Sequence, residues 1–309
     1  MPNKHLEHIE DSIFYGRRTA LYAIKQALTM TSNISVKYDG APAVVFGTNP
    51  DNGRFFVGTK SVFNKKKVLI NYSYEDIAKN HKGNVADILR LVYRYAPRIR
   101  GIVQADWIGV GGGNVFSPNT LEYEFAHPIT QQIILAPHTF YERVAPDAKG
   151  RVGLTIDSSD TCYMVNTMTA HMHKCPFAGI DILAKVVALL PFTKIPNAKV
   201  RVEICKHINN FIRAGSLPAV SAMYVALPDK YKKDVNLNTF KVWSLIYQLK
   251  MRLLDAIEDN SNVKCFIEGQ PTRHEGFVIV SNNPYKIVDR LTFSKANFNL
   301  DKNWTNEEV

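Results

Sequence analysis

The chain has 309 residues, of which 46% are hydrophobic and 21% charged, the make-up of a globular protein with room for one large domain or two ordinary ones. No apolar run is long enough to span a bilayer, the polar start MPNKHLEHIED does not read as a secretion signal, and four cysteines are too few for a disulfide framework; a cytoplasmic, monomeric chain without membrane association is the expectation. Lys and Arg number 38 against 28 Asp and Glu, and the resulting net charge of +10 favours polyanionic partners, nucleic acid first.

In chain order, residues 5–30 predict a helix, with Leu6, Ile9, Ile13, Leu21, Ile24 and Leu28 recurring near helical spacing. Strands are predicted at 34–40, 41–47 and 54–60, the last two separated by the turn-rich TNPDNG. Residues 75–96 return to a helical period, 100–110 predict a strand running into Gly111-Gly112-Gly113, and further strands are expected at 120–125, 131–136 and 151–156. From 176 to 258 the pattern is mostly helical, with Val242, Leu245, Ile246, Leu249, Leu253 and Ile257 on one stripe. Strands resume at 265–268, 276–280 and 285–289. The fold class is therefore α+β, with a domain made of 1–175 and 259–309 and an inserted helical subdomain at 176–258.

The segment Val36-Lys37-Tyr38-Asp39-Gly40 is the most informative. A lysine ends a β-branched apolar run, with a carboxylate two residues on and then a glycine able to let the backbone pass close to a phosphate. A nucleophilic lysine must be neutral, so desolvation or neighbouring cations must lower its pKa. Lys-x-Asp-Gly alone arises by chance in about one chain of this size in ten to twenty. Context adds Glu275-Gly276 opening an apolar strand, Lys286 within YKIV, and Asp106 in VQADW at the end of a strand. A lysine, carboxylates able to hold a metal, and a second cation form the set that phosphoryl-type transfer needs, since its catalysis is mostly positioning and charge stabilisation.

In order, these segments resemble the motifs of the covalent nucleotidyltransferase superfamily, which includes ATP-dependent DNA ligases, RNA ligases and mRNA capping enzymes. KYDG resembles the nucleophile motif, VQADW the third, EGFVIV the fourth and YKIVDR the fifth, while EYEF at 122–125 matches the aromatic strand that stacks on the base. Phage-type RNA ligases are the most similar: small residues follow the nucleophile motif, Gln104 precedes Asp106, and Phe293-Ser294 follows the fifth motif. GTKSVF places Lys60 where those ligases carry a basic residue near the ribose and phosphates. Departures are Val288 where a second lysine is usual, Asp106 where Glu is usual, and no Arg after the nucleophile motif before Arg54. About 20 residues follow the fifth motif, too few for an OB domain. The chain also resembles uncharacterised proteins of tailed phages, a resemblance that carries no activity but would put it in the host cytoplasm.

The resemblance implies a nucleotidyltransferase (ATP-grasp-like ligase adenylation) fold of antiparallel sheets around an ATP cleft. It also implies an ATP-dependent polynucleotide ligase, RNA ligase favoured, acting through a lysyl-AMP intermediate. Lys37, Asp39, Glu275 and Lys286 would be catalytic. Val36, Gly40, Lys60, Asp106, Tyr123 and Phe125 would contact the nucleotide, with Asp106 and Glu275 holding Mg2+ or Mn2+. The partner would be a nucleic acid with 5′-phosphate and 3′-hydroxyl ends, RNA before DNA, and the helical insert would clamp it. Alternatives are a DNA ligase lacking an OB domain, nucleotidyl transfer to an RNA cap or a non-nucleic-acid acceptor, and a nucleic-acid-binding protein with a decayed site. Outside this set, Cys162, His171, His173 and Cys175 offer zinc-type ligands at a spacing that fits no standard finger. Lys65, Lys66 and Lys67 are a candidate nucleic-acid contact.

Overall fold

The structure, a computed structural model, describes residues 6–29, 32–172 and 179–293. The elements up to the middle of the chain are β1 (Glu7–His8), a 3-10 segment at Ile9–Tyr15, α1 (Arg17–Thr29), β2 (Ile34–Lys37), β3 (Ala43–Thr48), β4 (Phe55–Gly58) and a 3-10 turn at Lys60–Phe63. There follow α2 (Tyr74–Asn80), α3 (Gly83–Tyr95), β5 (Ile102–Val110), β6 (Gly113–Phe116), β7 (Glu122–Ile129), β8 (Ile133–Tyr141), β9 (Cys162–Met164) and β10 (Ala170–Met172). The second half runs through α4 (Ile180–Leu189), α5 (Ala198–Arg213), α6 (Val220–Val225), α7 (Asp229–Lys232) and α8 (Leu237–Ala256). It closes with β11 (Ile257–Asp259), β12 (Lys264–Ile267), β13 (Gln270–Thr272), β14 (Gly276–Ile279) and β15 (Tyr285–Val288). The fold is mixed α+β with several antiparallel sheets.

The chain divides into two compact units. Unit 1 is 1–6, 32–171 and 258–284; unit 2 is 7–31, 172–257 and 285–309. Sequence patterning places both the N-terminal helix and the last strand with the sheets, whereas they group with the helices. The reasons are local to unit 2: the 3-10 segment Ile9–Tyr15 packs on α8 and α1, and β1 pairs with β15 in parallel register, Glu7 opposite Tyr285 and His8 opposite Lys286.

In unit 1, one sheet has the order β4-β3-β5-β8-β9, antiparallel except for the β8–β9 pair. Alternation along its strands separates two faces. Val44, Phe46, Val103, Ala105, Trp107 and Leu135 face α2 and α3, which cover them with Ile77, Ala86, Leu89 and Val92. The opposite face carries Val45, Ile102 and Tyr141. A second sheet runs β13-β12-β7-β6, and β2 lies between β14 and β10 with antiparallel pairing on both sides.

Unit 2 gathers α1 and α4 to α8. Val200, Ile204, Ile208 and Ile212 bury one stripe of α5, and Val242, Ile246, Leu249 and Leu253 one stripe of α8. Asn197 and Asn236 cap these two helices, each side chain accepting hydrogen bonds from the first turn.

Several elements differ from the sequence pattern. The first expected helix is broken at Gly16, whose φ of 151° is one that other residues rarely adopt. The expected helix over 75–96 is two, interrupted at His81-Lys82 and restarting at Gly83, whose φ is 54°. No strand forms over 151–156; Arg151 makes only an isolated bridge to Phe140.

Candidate active site

β2 is an apolar strand held by β14, with Gly276 opposite Lys37 and Phe277 opposite Val36. That register sets Glu275, the residue before β14, against the end of β2, and Lys37 Nζ donates to Glu275 Oε2 in an ion pair. Val36 is buried, opposite Phe277 on the neighbouring strand β14.

Past Lys37 the chain approaches β5. A Cβ on Gly40 would lie 2.4 Å from the Trp107 carbonyl oxygen and 2.8 Å from Asp106 Cβ. The glycine expected to curl round a phosphate thus serves first to let this loop lie against β5. Asp39 is fixed on both oxygens, Oδ1 accepting from Asn119 Nδ2 at 3.0 Å and Oδ2 from Thr120 N at 3.2 Å. Its own N–H donates to the Tyr123 hydroxyl at 2.5 Å.

Asp106 shares the Gln104 face of β5, pointing away from α2 and α3. His138 faces it from β8, with Nε2 3.7 Å from Asp106 Oδ1. His138 owes this position to a bulge: Gln104 is opposite Thr139 and Ala105 opposite Pro137, so His138 is the extra residue. Sequence reasoning passes over it, and over Asn119 and Thr120. The available signal is a Pro-His pair interrupting an apolar strand, which marks irregular pairing.

The cluster's electrostatics follow from burial among mixed charges. Burial by itself would depress Lys37, but the carboxylates of Glu275, Asp106 and Asp39 outweigh it and hold the ammonium above the usual lysine range. Desolvation alone, one of the two causes expected to lower Lys37, does not do so here; the other is a neighbouring cation. Burial pushes Asp106 up to about 7, with Glu275 and Asp39 adding to the rise and Lys37 and Lys60 opposing it. Burial lowers Lys60, against the pull of Asp106 and with the repulsion of Lys37. His138 is pushed down to about 3 by burial and by the same two lysines, so it is a neutral imidazole.

Lys37, Asp39, Gly40, Lys60, Asp106 and Glu275 are therefore brought together within unit 1. The other expected residues stand differently. Tyr123 is fully buried, its ring 5.1 Å from that of Tyr38 and stacked at 5.9 Å on His274. Phe125 packs on Phe116 and Tyr163. Lys286 belongs to unit 2, on β15. Gly111 and Gly112 donate their N–H groups to Gln132 O and Ile129 O, which makes the glycine run a turn between β5 and β6 with those donors engaged.

His274 joins a second buried group. Its Nε2 lies 2.9 Å from Asp259 Oδ2. Burial would raise the Asp259 carboxyl, but hydrogen bonds from His274, Ser261 and Thr169 outweigh it and hold it at about 2. The ring rests on Tyr38 and Tyr123, so the residues next to Lys37 and Glu275 in sequence are locked to each other.

Among the described residues no group of three His, Cys, Asp or Glu side chains is arranged to hold a metal ion. Of the zinc-type candidates, Cys162 is buried in β9 and its thiol pushed up to about 12 by that burial, His171 lies on β10, and His173 and Cys175 lie outside the described residues, as does Ser294. No described helix is long and apolar enough to cross a membrane. Comparison with curated proteins and with solved structures returns no match. A family model does match, over residues 3–302, and the chain accordingly belongs to the family described as a family of unknown function, DUF6267.

Proposed function

We propose that the protein is a covalent nucleotidyltransferase of the ATP-dependent polynucleotide ligase type, RNA ligase favoured, with the nucleotidyltransferase fold in unit 1 and Lys37 as the residue that takes up AMP. The observation that carries the reading is the convergence of Lys37, Asp39, Lys60, Asp106 and Glu275, drawn from four separate stretches of the sequence, on one partly buried cluster. An ordinary structural ion pair requires two of these residues, not five.

Lys37 Nζ attacks the α-phosphorus of ATP. The N–P bond forms as the bond to the bridging oxygen breaks, and pyrophosphate leaves with the electron pair. Lys37 gives up one proton along its hydrogen bond to Glu275 and on to solvent before it attacks, since only the neutral amine is nucleophilic, and the second proton, released as the phosphoramidate forms, leaves with pyrophosphate. A nucleic-acid 5′-phosphate oxygen then attacks the lysyl-AMP phosphorus, the N–P bond breaks, and the amine recovers its protons. A 3′-hydroxyl finally displaces AMP, closing the phosphodiester. Lys60 offsets phosphate charge throughout, and Asp39, fixed by Asn119 and Thr120, orients the nucleotide. The donor set suits Mg2+ or Mn2+: two carboxylates beside a phosphate site is how such ions are commonly held, with phosphates and water completing the shell. Asp106 and Glu275 would hold the ion, which when bound supplies neutralisation of phosphate charge.

The charge distribution supports a polyanionic acceptor. Unit 2 has 20 Lys and Arg against 12 Asp and Glu, a net of +8, and unit 1 has 18 against 16. A second reading, a nucleotide- or nucleic-acid-binding protein with no covalent step, is favoured by one observation: the ion pair that keeps Lys37 protonated.

Incubation with α-labelled ATP and Mg2+ decides between them. The expected result is an acid-labile, alkali-stable label on the wild-type chain and none on Lys37→Ala. Equal labelling of both would discard Lys37, and no labelling of either with ATP or GTP leaves the binding reading.

A further inference from the structure

Residues 54–100 carry eleven Lys and Arg against three Asp and Glu, although unit 1 as a whole has 18 against 16; the rest of that unit is therefore net acidic. Two of the three acids are already engaged. Asp87 pairs with Arg90 at 2.6 Å, and Asp76 accepts from Tyr72 N at 2.9 Å. Positive charge is thus concentrated in this stretch of a nearly neutral unit.

That segment includes β4, the edge strand of its sheet, and aromatic rings line the edge. The Arg54 guanidinium carbon lies 4.6 Å from the Tyr72 ring centroid, and that of Arg98 lies 3.7 Å from Phe55 and 5.1 Å from Tyr93. Tyr93 joins the two pairs: its hydroxyl donates to Tyr72 O at 2.7 Å, and its ring stands 5.9 Å from Phe55 and 5.1 Å from Tyr74. Arg98 also donates to Tyr93 O at 2.9 Å. Arg54 and Arg98 are exposed, and Tyr74 is 44% exposed. Phe55 and Tyr93 pack with the α3 face of the sheet and Tyr72 with the opposite face, so the group turns the edge toward the side on which Asp106 points. Lys65, Lys66 and Lys67 stand exposed in the link that follows β4.

A structural role accounts for Phe55 and Tyr93, which are half-buried, but not for the exposed Tyr74 beside Tyr93 or for two exposed arginines laid on rings. An arginine laid on a ring has given up much of its rotamer freedom while keeping outward N–H groups, so it is pre-organised for a phosphate. A half-exposed tyrosine can stack only on a base that is itself unstacked, which duplex DNA or RNA does not offer. We propose that this β4 edge is a docking surface for single-stranded nucleic acid, with Arg54 and Arg98 on backbone phosphates and Tyr74 as the stacking platform. The surface does not depend on the covalent chemistry proposed for Lys37.

The test is fluorescence anisotropy of the full chain with a labelled single-stranded RNA or DNA of about 20 nucleotides, the duplex of the same sequence, and polyphosphate as a base-free competitor. Single strands are expected to bind more tightly than the duplex. Tyr74→Ala is expected to weaken single-strand binding at least about fivefold, the lower end of what one stacked base contributes. Arg54→Glu with Arg98→Ala should weaken it further and reduce the salt slope by roughly 0.7 for each phosphate that is no longer neutralised. Arg98 also packs on Phe55, so thermal melting accompanies every variant; Arg54→Glu alone, whose side chain is exposed, keeps the test decisive if the double variant fails to fold. Wild-type affinity in Tyr74→Ala and Arg54→Glu overturns the proposal, as does competition by polyphosphate and duplex equal to that by single strands, which would mark a general polyanion surface. Binding by a wild-type chain that takes no AMP label upholds this surface and removes the ligase reading, whereas labelling without binding does the reverse.

Discussion

Asp106 sits among two lysines and two other carboxylates, and its folded-state value of about 7 stands well above that of an exposed aspartate. Between the two values the folded chain holds a proton that the unfolded chain releases, so this group makes stability fall as pH rises from about 4 through 7. In EDTA, Asp106→Asn is therefore expected to leave Tm nearly unchanged at about pH 3.5, where Asp106 is mostly neutral in the folded and unfolded chain alike, and to raise it relative to wild type at pH 8. An equal difference at both pH values would show that burial does not control this carboxyl. Part of this was legible in the sequence. The spacing of Lys37, Asp39 and Gly40 and the carboxylates at 106 and 275 singled out the right neighbours. The charge state of Lys37 was not legible, because it depends on how many carboxylates surround the amine, and only their convergence fixes that number.

At the scale of elements, the site depends on two departures from regular pairing. One is the bulge that turns His138 toward Asp106; an alternating pattern cannot reveal where an extra residue is inserted. The other is the close approach of the loop after β2 to β5, which only a residue lacking a side chain allows. Gly40→Ala would place a methyl 2.4 Å from the Trp107 carbonyl, so the loop must move. The expected cost is about 1–3 kcal/mol in urea denaturation, with AMP labelling reduced because Asp39 and Lys37 shift with the loop. A wild-type urea midpoint in this variant would show that the crowding is easily relieved. Strands β2 to β5 were readable because their apolar runs end in turn residues. The breaks at Gly16 and at His81-Lys82 were not, since the apolar period continues across both.

At the scale of the whole molecule, unit 2 encloses a buried ion network. Lys250 Nζ meets Glu10 Oε1 at 2.7 Å, Arg290 meets Glu10 at 3.0 Å and Asp11 at 3.3 Å, and Trp243 Nε1 donates to Asp11 at 2.8 Å. Burial would raise Glu10, but Lys250 and Arg290 outweigh it and keep the carboxylate ionised. Lys250→Met would strip a fully buried carboxylate of its closest partner, and a loss of about 3–5 kcal/mol of stability is expected by chemical denaturation. Adding Glu10→Gln should recover a substantial part of it, because no uncompensated charge then remains; a double variant no more stable than the single one would show that packing, not charge, is what Lys250 contributes. This network joins the segment after β1 to α8 and to Arg290 just past β15, and it lies within the unit that sequence patterning reduces to an insert at 176–258.

The sequence by itself determined the α+β class, most of the strands and helices, and the residue types gathered at the candidate site. These depend on local periodicity, turn residues and short motifs, all of which act within a few neighbours along the chain. Only the tertiary structure decided that α1 and β15 group with the later helices, that Lys37 is charged, and that His138, Asn119 and Thr120 complete the surroundings of Asp106 and Asp39. Each of those outcomes depends on groups tens to hundreds of residues apart meeting in a low-dielectric interior, where partner number and distance, not residue type, set the energy.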